Sequence, residues 1–375
     1  MRISKNYLGA IALLGAGLFS ACEKDENGEA ENPDVNNPQI EALATNAKWN
    51  NYLVAATEEL YNDCVRLWAA WAGPDGYADL VKNPNNDYYS SGIDAIEATI
   101  IQGSIDIAGE VGEQKIGGPY GYALAGKYAE GVLEVESWYS WNSITDYSDN
   151  IVSVRNSYLG VRGGATASAN SLSAFVRDKN PDLDAQIIAA INAAYSGIQT
   201  MEAPFRNNLT GAKVVAAMKA CADLEDIYKK ELLPLVHDAG AAFDFTPILA
   251  TYADDIVVKT YEDMKNKAKA LQDAAQEYAG NPTNARLSAV CDAWKAVRVP
   301  WEQSEAFLYG PADLLGLDPS LDSWPLDQDD ILSILNNDRL NTVQEIQGAI
   351  TGEGVRGFHT IELLLFKDGQ DRQVK

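Results

Sequence analysis

The sequence places a histidine and a glutamate three residues apart in Gly357-Phe358-His359-Thr360-Ile361-Glu362. On a helix, side chains three positions apart lie on one face, so the imidazole of His359 and the carboxylate of Glu362 would point at the same place. A metal ion or a hydrogen-bonded ligand would satisfy both groups in an apolar setting. The alternative is a hydrogen bond between His359 and Glu362 inside the core, which needs no ligand.

The residues around this pair are almost all apolar, including Phe358, Ile361 and the run at 363–366. A helix that is apolar on most sides is usually buried. Two protein ligands are fewer than the four of a closed zinc site, and the helical H-E-x-x-H pattern of zinc proteases is absent from the sequence. The pair therefore predicts a site that needs further residues from elsewhere in the chain.

A second stretch, residues 142–158, has a polar face of unusual composition. Its apolar stripe has helical spacing and comprises Ile144, Tyr147, Ile151, Val154 and Tyr158. The opposite face carries only small polar side chains, namely Asn142, Asp146, Asn150, Ser153 and Ser157. Solvated faces usually carry long charged side chains, so this face indicates a wet internal surface or a ligand site. An ordinary exposed face is the alternative.

Long helical patterns account for most of the chain and must position these residues. They cover residues 48–71, 183–198, 212–233, 248–278, 286–306 and 329–335. Alternating strand patterns are scarce, which favours an all-α protein built from helical bundles. Cys64, Cys221 and Cys291 are widely spaced in apolar helical contexts, so we expect buried free thiols rather than disulfides.

The N-terminus reads as an export signal followed by a lipid attachment site. A charged start and a short apolar run are followed by Phe19-Ser20-Ala21-Cys22. Small residues directly before a cysteine resemble the lipobox of bacterial lipoproteins, which predicts a signal at residues 1–21 and lipidation of Cys22. An ordinary secretory signal is the alternative. Residues 22–39 are acidic and lack aromatic side chains, so we expect a flexible tether.

The net charge of −25 limits the classes of partner. It argues against nucleic acid and against anionic membrane surfaces, and it is compatible with the capture of cations. The acidic start at residues 23–26 resembles signals that send some lipoproteins to the outer surface of the cell, although a plain linker explains it equally well. We therefore expect a cell-envelope protein, anchored in the outer membrane and facing either side of it.

Taken together, four stretches resemble the imelysin family of bacterial envelope proteins. One is the G-x-H-x-x-E motif at residues 357–362, and a second is R-V-P-W-E-Q-S-E-A-F at residues 298–307. The third is D-S-W-P-L-D at residues 322–327, and the fourth is the polar helix with its flanks at residues 136–160. The resemblance covers most of the chain after the signal, and in combination the motifs are specific.

The order of these motifs departs from the usual family order, because the polar helix comes first and G-x-H-x-x-E lies at the C-terminus. This order resembles a circular permutation, which is tolerated when the original termini lie close together. It predicts a discontinuous domain at residues 40–95 plus 242–375 and a second domain at residues 96–241. It also predicts that the helix at residues 48–71 contacts the helix at residues 357–366.

The resemblance implies two four-helix bundles with a shared site in the cleft at their interface. His359, Glu362, Arg298 and Glu305 would face this cleft from one bundle. Ser140, Asn142 and Asp146 would face it from the other. Within this set, His359 and Glu362 would be metal ligands and the remaining residues would contact the ligand. Trp324 and Pro325 are expected to pack loops.

Two classes of function remain open. The resemblance implies either a metallopeptidase or a component of bacterial iron uptake. A metallopeptidase needs a metal with an open position, a general base and a peptide cleft, but the sequence offers one motif histidine and one motif glutamate. We therefore expect a non-catalytic, lipid-anchored protein that binds iron, another divalent metal, or a small metal chelate held by Arg298. Its partner would be an outer-membrane uptake system.

Overall fold

The computed structural model of the protein describes residues 38–240 and 242–374. Twenty α-helices form most of these residues. They are α1 (Pro38–Leu43), α2 (Ala47–Ala72), α3 (Tyr77–Lys82), α4 (Gly92–Ile96), α5 (Gln102–Gly109), α6 (Gly117–Leu124), α7 (Tyr128–Leu133), α8 (Ser143–Leu159), α9 (Leu172–Lys179), α10 (Pro181–Gln199), α11 (Ala212–Ile227), α12 (Leu233–Gly240), α13 (Thr246–Ala250), α14 (Lys259–Gly280), α15 (Asn284–Glu302), α16 (Pro311–Leu314), α17 (Asp318–Leu321), α18 (Gln328–Asn336), α19 (Val343–Gln347) and α20 (Gly357–Leu365).

Shorter segments of other geometry connect or extend these helices. Segments wound as π-helix are Glu97–Ile101, Glu110–Ile116, Tyr228–Leu232 and Thr251–Val258. Single 3₁₀ turns are Phe205–Asn207, Glu305–Phe307 and Glu353–Val355. Two short antiparallel strands, β1 (Phe366–Lys367) and β2 (Gln370–Asp371), pair Phe366 with Asp371 near the C-terminus. The all-α prediction is therefore confirmed.

Local sequence signals explain where several long helices begin. The side chain of Asn46 accepts a hydrogen bond from the backbone N–H of Trp49 (2.9 Å) and so caps α2. Asn180 caps α10 in the same way, with a proline at the first helical position, and Thr283 caps α15. The predicted helix at 248–278 corresponds to α13, the π-helical segment Thr251–Val258 and α14, which follow one another without a break.

The helices at the two ends of the described chain pack together. Trp49 on α2 donates a hydrogen bond from Nε1 to the backbone oxygen of Leu364 on α20 (3.1 Å). Near the C-terminus, Arg372 donates from Nη1 to Oε1 of Glu41 on α1 (2.7 Å). The predicted contact between residues 48–71 and 357–366 is therefore confirmed. The permutation itself and the division into residues 40–95 plus 242–375 and 96–241 stay predictions.

Two groups of helices surround the polar residues of interest. In one group α2, α14, α15 and α20 pack on one another, and in the other α5, α8, α10 and α11 do so. Helices α8 and α15 are in contact, which joins the groups. The side-chain hydrogen bonds described below run across this junction.

Several further expectations concern single residues. Cys64, Cys221 and Cys291 are buried free thiols, as expected. The predicted signal, Cys22 and the tether up to residue 37 lie outside the described residues, and α1 begins at Pro38, within the predicted tether. Among the described helices, none is both long and apolar enough to cross a bilayer.

Candidate functional site

The motif helix α20 begins at a glycine whose geometry accepts no other residue easily. Gly357 has a φ of +83°, a conformation that L side chains rarely adopt. A Cβ atom at this position would lie 2.5 Å from the backbone oxygen of Leu321, which is too close. The glycine therefore lets α20 start directly against the segment that carries Asp322. All nine residues of α20 are buried.

His359 lies between two carboxylates. Its Nδ1 is 3.0 Å from Oε2 of Glu362, so the predicted pair on one helix face is formed. Its Nε2 is 3.1 Å from Oδ1 of Asp322 but makes no hydrogen bond among the described residues. The ring packs edge-on against Trp324 at 5.1 Å between centroids, so Trp324 shapes the site as well as the loop. His359 is 1% exposed.

The other oxygen of Glu362 receives three hydrogen bonds from one loop. The backbone N–H groups of Tyr139 and Ser140 donate to Oε1 at 3.0 and 2.7 Å, and the Ser140 hydroxyl donates at 2.6 Å. Ser137 and Trp141 on either side have positive φ values, which turn the loop back on itself. Glu362 thus fixes His359 on one side and the loop at residues 139–140 on the other.

Arg298 on α15 provides the central positive charge of the site. It is fully buried, and its Nη1 lies 2.6 Å from Oδ1 of Asp322. Its Nη2 lies 3.1 Å from Oδ2 of Asp146 and also contacts Glu302, one turn along the same helix. A planar guanidinium can serve several carboxylates in this way because its donors are fixed in a fork.

The polar face of α8 is turned into the protein. Asp146 accepts hydrogen bonds from the Asn142 side chain (2.6 Å) and from the Ser137 hydroxyl. Asn150 donates from Nδ2 to Oε2 of Glu302 at 2.6 Å. The internal surface predicted for this face is therefore confirmed, and the exposed alternative is wrong. We call Asp146, Arg298, Glu302, Asp322, His359 and Glu362 together the ionic cluster.

The ionic cluster holds more acids than cations. Burial raises the pKa of Asp146, and that of Glu302 well above its usual range, although Arg298 acts in the opposite direction. At Asp322 burial also acts upward, but Arg298 and His359 outweigh it and lower the pKa. At His359 burial acts downward, but Asp322 and Glu362 outweigh it and raise the pKa. The two carboxylates therefore favour a positive charge at His359.

Glu305 lies beside the ionic cluster and extends it. Oxygen atoms of Glu302, Glu305 and Asp322, one from each carboxylate, lie within 4.8 Å of one another. We call these three residues the acidic triad. Burial raises the pKa of Glu305 well above its usual range, although Lys115 acts in the opposite direction. Three carboxylate oxygens at this separation form a group of the kind that holds a metal cation.

The structure gathers every site residue predicted in the described chain. His359, Glu362 and Ser140 form one group of direct contacts, and Arg298, Asp146 and Asn142 form another. Asp322 joins the two groups, and Glu305 joins through the acidic triad. Their roles as ligands stay predictions. Sequence reasoning assigned no role to Glu302, Asp322 or Lys115. Glu302 and Asp322 stand inside the motifs at residues 298–307 and 322–327, and Glu302 is one helical turn from Arg298, so its spacing could have identified it.

Comparison with known proteins identifies the family of the chain. A family model described as imelysin matches residues 19–230 and 257–375. The chain belongs to the imelysin family. A crystal structure of an imelysin peptidase from Bacteroides ovatus is 40% identical in sequence and superimposes with a TM-score of 0.82, covering 88% of this chain and 97% of that one.

A second relative of this imelysin-family protein carries a name connected with iron. Over 115 residues the chain is 36% identical to iron-regulated protein A of Synechococcus elongatus. The match covers 31% of this chain and 30% of that protein, so it spans less than a third of the relative's length. The name of the first relative describes a peptidase, and the name of the second describes a protein regulated by iron.

The residues of this imelysin-family site fit a cation. His359 Nε2 is a buried nitrogen without a hydrogen-bond partner in the described part of the chain, and Glu362 holds the opposite ring nitrogen. A carboxylate that orients a metal-binding histidine in this way is common behind metal ligands. One imidazole nitrogen with several carboxylate oxygens suits iron or another hard or borderline cation. Arg298 and Lys115 are the positive charges against which such a cation must compete.

Proposed function

We propose that this protein is a non-catalytic, lipid-anchored envelope protein that captures a metal cation, iron above all, for uptake. The observation that carries the proposal is the acidic triad beside His359 Nε2, which lies 3.1 Å from Asp322 Oδ1 and makes no hydrogen bond within the described residues. The triad and His359 would hold the cation. Glu362 would orient His359 rather than bind the cation, because its Oε2 contacts Nδ1, the ring nitrogen opposite to Nε2.

Charge supports a cation as the ligand. The carboxyl groups of Glu302 and Glu305 are buried, and burial raises their pKa values above the usual range. Such groups are costly to keep ionised without a positive partner. Arg298 and Lys115 compensate these two groups only in part, since both pKa values remain raised, and a metal cation would add the positive charge that stabilises the ionised carboxylates. The name of the Synechococcus elongatus relative agrees with iron as the cation.

A metallopeptidase is the second candidate, favoured by the name of the Bacteroides ovatus relative. It requires a cleft in which an extended peptide reaches the metal. Next to Trp324 and Tyr139 a cavity of about 30 Å³ opens, which holds about one water molecule. His359 and Glu362 are 1% and 0% exposed. A small cation suits this degree of enclosure better than a peptide does.

The two histidines of the chain give a matched pair of variants for the test. His359→Ala is expected to abolish cation binding while the helical fold persists, and His237→Ala is expected to bind as the unaltered protein does, because the His237 side chain is 59% exposed. The measurements are metal content after purification without chelator, and calorimetric titration with ferrous and ferric iron, zinc and copper. If the unaltered protein binds none of these ions, the proposal is wrong.

Two further measurements separate the candidates. Cleavage of a protein substrate that disappears in His359→Ala would favour the metallopeptidase. For the capture protein, cation binding should weaken as pH falls through the pKa of His359, because a protonated imidazole is not a ligand. Since that pKa is raised above 6.5, the loss should begin above pH 6.5.

The lipid anchor is part of the same proposal and is tested by Cys22→Ala. Without the thiol no lipid can be attached at this position, so the variant is expected to leave the membrane fraction of cells. Protease treatment of whole cells then reports which side of the outer membrane the anchored protein faces. An unchanged distribution of Cys22→Ala between membrane and soluble fractions would remove the anchor from the proposal.

A further inference from the structure

A lysine is buried next to the acidic triad. Lys115 lies in the π-helical segment Glu110–Ile116 and is 8% exposed. Its Nζ lies 3.1 Å from Oε2 of Glu136, 3.7 Å from Oε1 of Glu110 and 3.8 Å from Oε1 of Glu305. We call these four residues the lysine cluster. Within it, the Glu136 contact is a hydrogen bond, and the two longer contacts are charge contacts.

The lysine cluster leads from the protein surface to the acidic triad. The side chains of Glu110 and Glu136 are 42% and 23% exposed, whereas that of Glu305 is 7% exposed. Glu305 belongs to both groups, so it is the point at which Lys115 meets the triad. A cation that arrives along these carboxylates therefore encounters the Lys115 ammonium before it reaches Glu302 and Asp322.

An independent observation on the other side of the acidic triad concerns His359. His359 Nε2 is buried, lies 3.1 Å from Oδ1 of Asp322, and has no hydrogen-bond partner in the described residues. A buried ring nitrogen without a partner is unfavourable unless a ligand or a proton serves it. Asp322 is a member of the acidic triad and is also the neighbour of His359 Nε2, so the two features adjoin each other.

We propose that Lys115 is a built-in competitor for the captured cation. In the cation-free protein its ammonium shares its charge among Glu136, Glu110 and Glu305, and when a cation binds the acidic triad the ammonium withdraws from Glu305 and keeps its contacts with Glu136 and Glu110. This inference rests on the function proposed above and adds to it a residue that sets affinity and selectivity.

The chemistry of the two basic side chains explains why Lys115 and not Arg298 has this role. Arg298 is held by Asp146, Asp322 and Glu302 through a rigid fork. Lysine carries a compact charge on a flexible four-carbon stem and can move without breaking a planar pairing. Because the ammonium and the cation repel each other near Glu305, only a cation that attracts carboxylates more strongly than an ammonium does will displace it. Divalent and trivalent cations meet this condition, and sodium and potassium do not.

Removing the ammonium tests the inference. Lys115→Met keeps the apolar stem, and manganese(II) serves as a divalent probe that is stable in air. Titration calorimetry is expected to give a dissociation constant at least about tenfold lower for Lys115→Met than for the unaltered protein, which is about 1.4 kcal/mol. Sodium chloride should weaken manganese binding more in Lys115→Met than in the unaltered protein, because the monovalent ion no longer faces a tethered competitor.

Two control variants define the comparison. Lys115→Arg keeps a positive charge in place and is expected to bind manganese about as the unaltered protein does. Lys230→Met makes the same change in net charge at a side chain that is 67% exposed, and it should leave the dissociation constant within about threefold, because solvent and salt screen a distant exposed charge. A tenfold gain in Lys230→Met as well would make the effect one of net charge and overturn the inference.

The outcomes separate this inference from the proposed function. If the unaltered protein binds manganese and a folded Lys115→Met binds it equally or more weakly, Lys115 is not a competitor and the capture function stands. If neither protein binds any of the cations tested, the capture function fails and the inference with it. If Lys115→Met is unfolded without a cation, Lys115→Gln replaces it. A larger rise in unfolding temperature with manganese in that variant than in the unaltered protein then supports the inference, and an equal or smaller rise overturns it.

Discussion

Ion pairs occur in this protein in two contrasting settings. Along exposed helical faces, lysines pair with acids four residues away, as in Lys219–Asp223, Lys229–Glu225, Lys230–Asp226, Lys259–Asp255 and Lys269–Asp273. In the ionic cluster the pairs are buried, and several of them join distant parts of the chain. Arg298 and Asp146, for example, are 152 residues apart in sequence. The acidic residue types are the same, but lysine provides the positive charge on the surface and Arg298 and His359 provide it in the cluster.

The difference shows what each kind of pair contributes. An exposed pair one helical turn apart adds about 0.3–0.5 kcal/mol, because water screens the charges and long side chains lose freedom. A buried pair costs several kcal/mol in lost hydration of each ion, so its net contribution to stability can be small. Removing one partner is nevertheless strongly destabilising, because the other charge stays buried without compensation. We infer that the main contribution of the ionic cluster is to hold α8, α15, α20 and the loop at residue 322 in the relative positions that the site requires.

The largest expected effect comes from removing the central charge. Arg298→Met leaves Asp146, Glu302 and Asp322 buried without their cation, and we expect a loss of about 3–5 kcal/mol in the free energy of unfolding. Urea denaturation followed by circular dichroism measures it. The triple change Arg298→Met, Asp146→Asn, Asp322→Asn removes two of the stranded charges and should recover part of the loss. A loss below about 1 kcal/mol for Arg298→Met would mean that the buried ion pairs of Arg298 contribute no more to stability than exposed pairs do.

The contrast also explains how much of the protein could be predicted from its sequence. Helical spacing of apolar residues identified the long helices, and the small polar side chains on α8 were enough to indicate an internal face. The spacing of His359 and Glu362 identified their mutual contact for the same reason, since both lie on one helix. All of these features repeat with the helical period and therefore leave a local signal.

The features that could not be predicted from the sequence do not repeat with the helical period. Only the family resemblance predicts Ser140 at the site, and it does not predict the role of this residue. Together with Tyr139, Ser140 donates to Glu362 from a loop more than 220 positions away in sequence, where two residues with positive φ set the direction of the N–H groups. Lys115 lies in a π-helical segment, in which the usual rule for side chains on one face does not apply. Its burial could not be read from helical spacing, and its partner Glu305 lies 190 residues further along the chain.

A smaller effect is expected at the loop that supports Glu362. Ser140→Ala removes one of three hydrogen bonds to a buried carboxylate and should cost about 1.5–3 kcal/mol, the usual contribution of a bond to a charged group. Ser323→Ala is a matched control, because the Ser323 hydroxyl donates to the neutral backbone oxygen of Pro319 and should cost about 1 kcal/mol. Equal losses in the two variants by urea denaturation would argue against a special role for the charge of Glu362.

A gain in stability is expected where an acid lacks a strong partner. Burial raises the pKa of Asp318 to about 7, with Asp322 acting in the same direction. Because the folded state then binds a proton more tightly than the unfolded state, this group reduces stability as pH rises from about 4 to about 7. Asp318→Asn should therefore gain up to about 4 kcal/mol at pH 8, because the pKa is raised by about three units and each unit corresponds to about 1.4 kcal/mol, and it should gain nothing at pH 4.

The exposed acid Asp313 provides the control for that variant. Asp313→Asn changes the net charge equally at a neighbouring exposed position, and it should leave the pH dependence of unfolding as it is in the unaltered protein. Urea denaturation of both variants at pH 4, 6 and 8 gives the comparison. A gain at pH 8 in Asp313→Asn equal to that in Asp318→Asn would mean that net charge rather than burial controls the effect.

The smallest expected effect concerns an exposed helical pair. Lys269 and Asp273 on α14 are in direct contact, and their side chains are 47% and 53% exposed. A double-mutant cycle with Lys269→Met and Asp273→Asn should give a coupling energy of about 0.3–0.5 kcal/mol at low salt, and 1 M sodium chloride should remove it because screening acts within a few ångströms there. The same cycle on Arg298 and Asp322 should keep its coupling in high salt, since solvent ions do not enter the buried cluster. A coupling above about 1 kcal/mol for the exposed pair, or a salt-sensitive coupling for the buried pair, would show that burial does not separate the two settings.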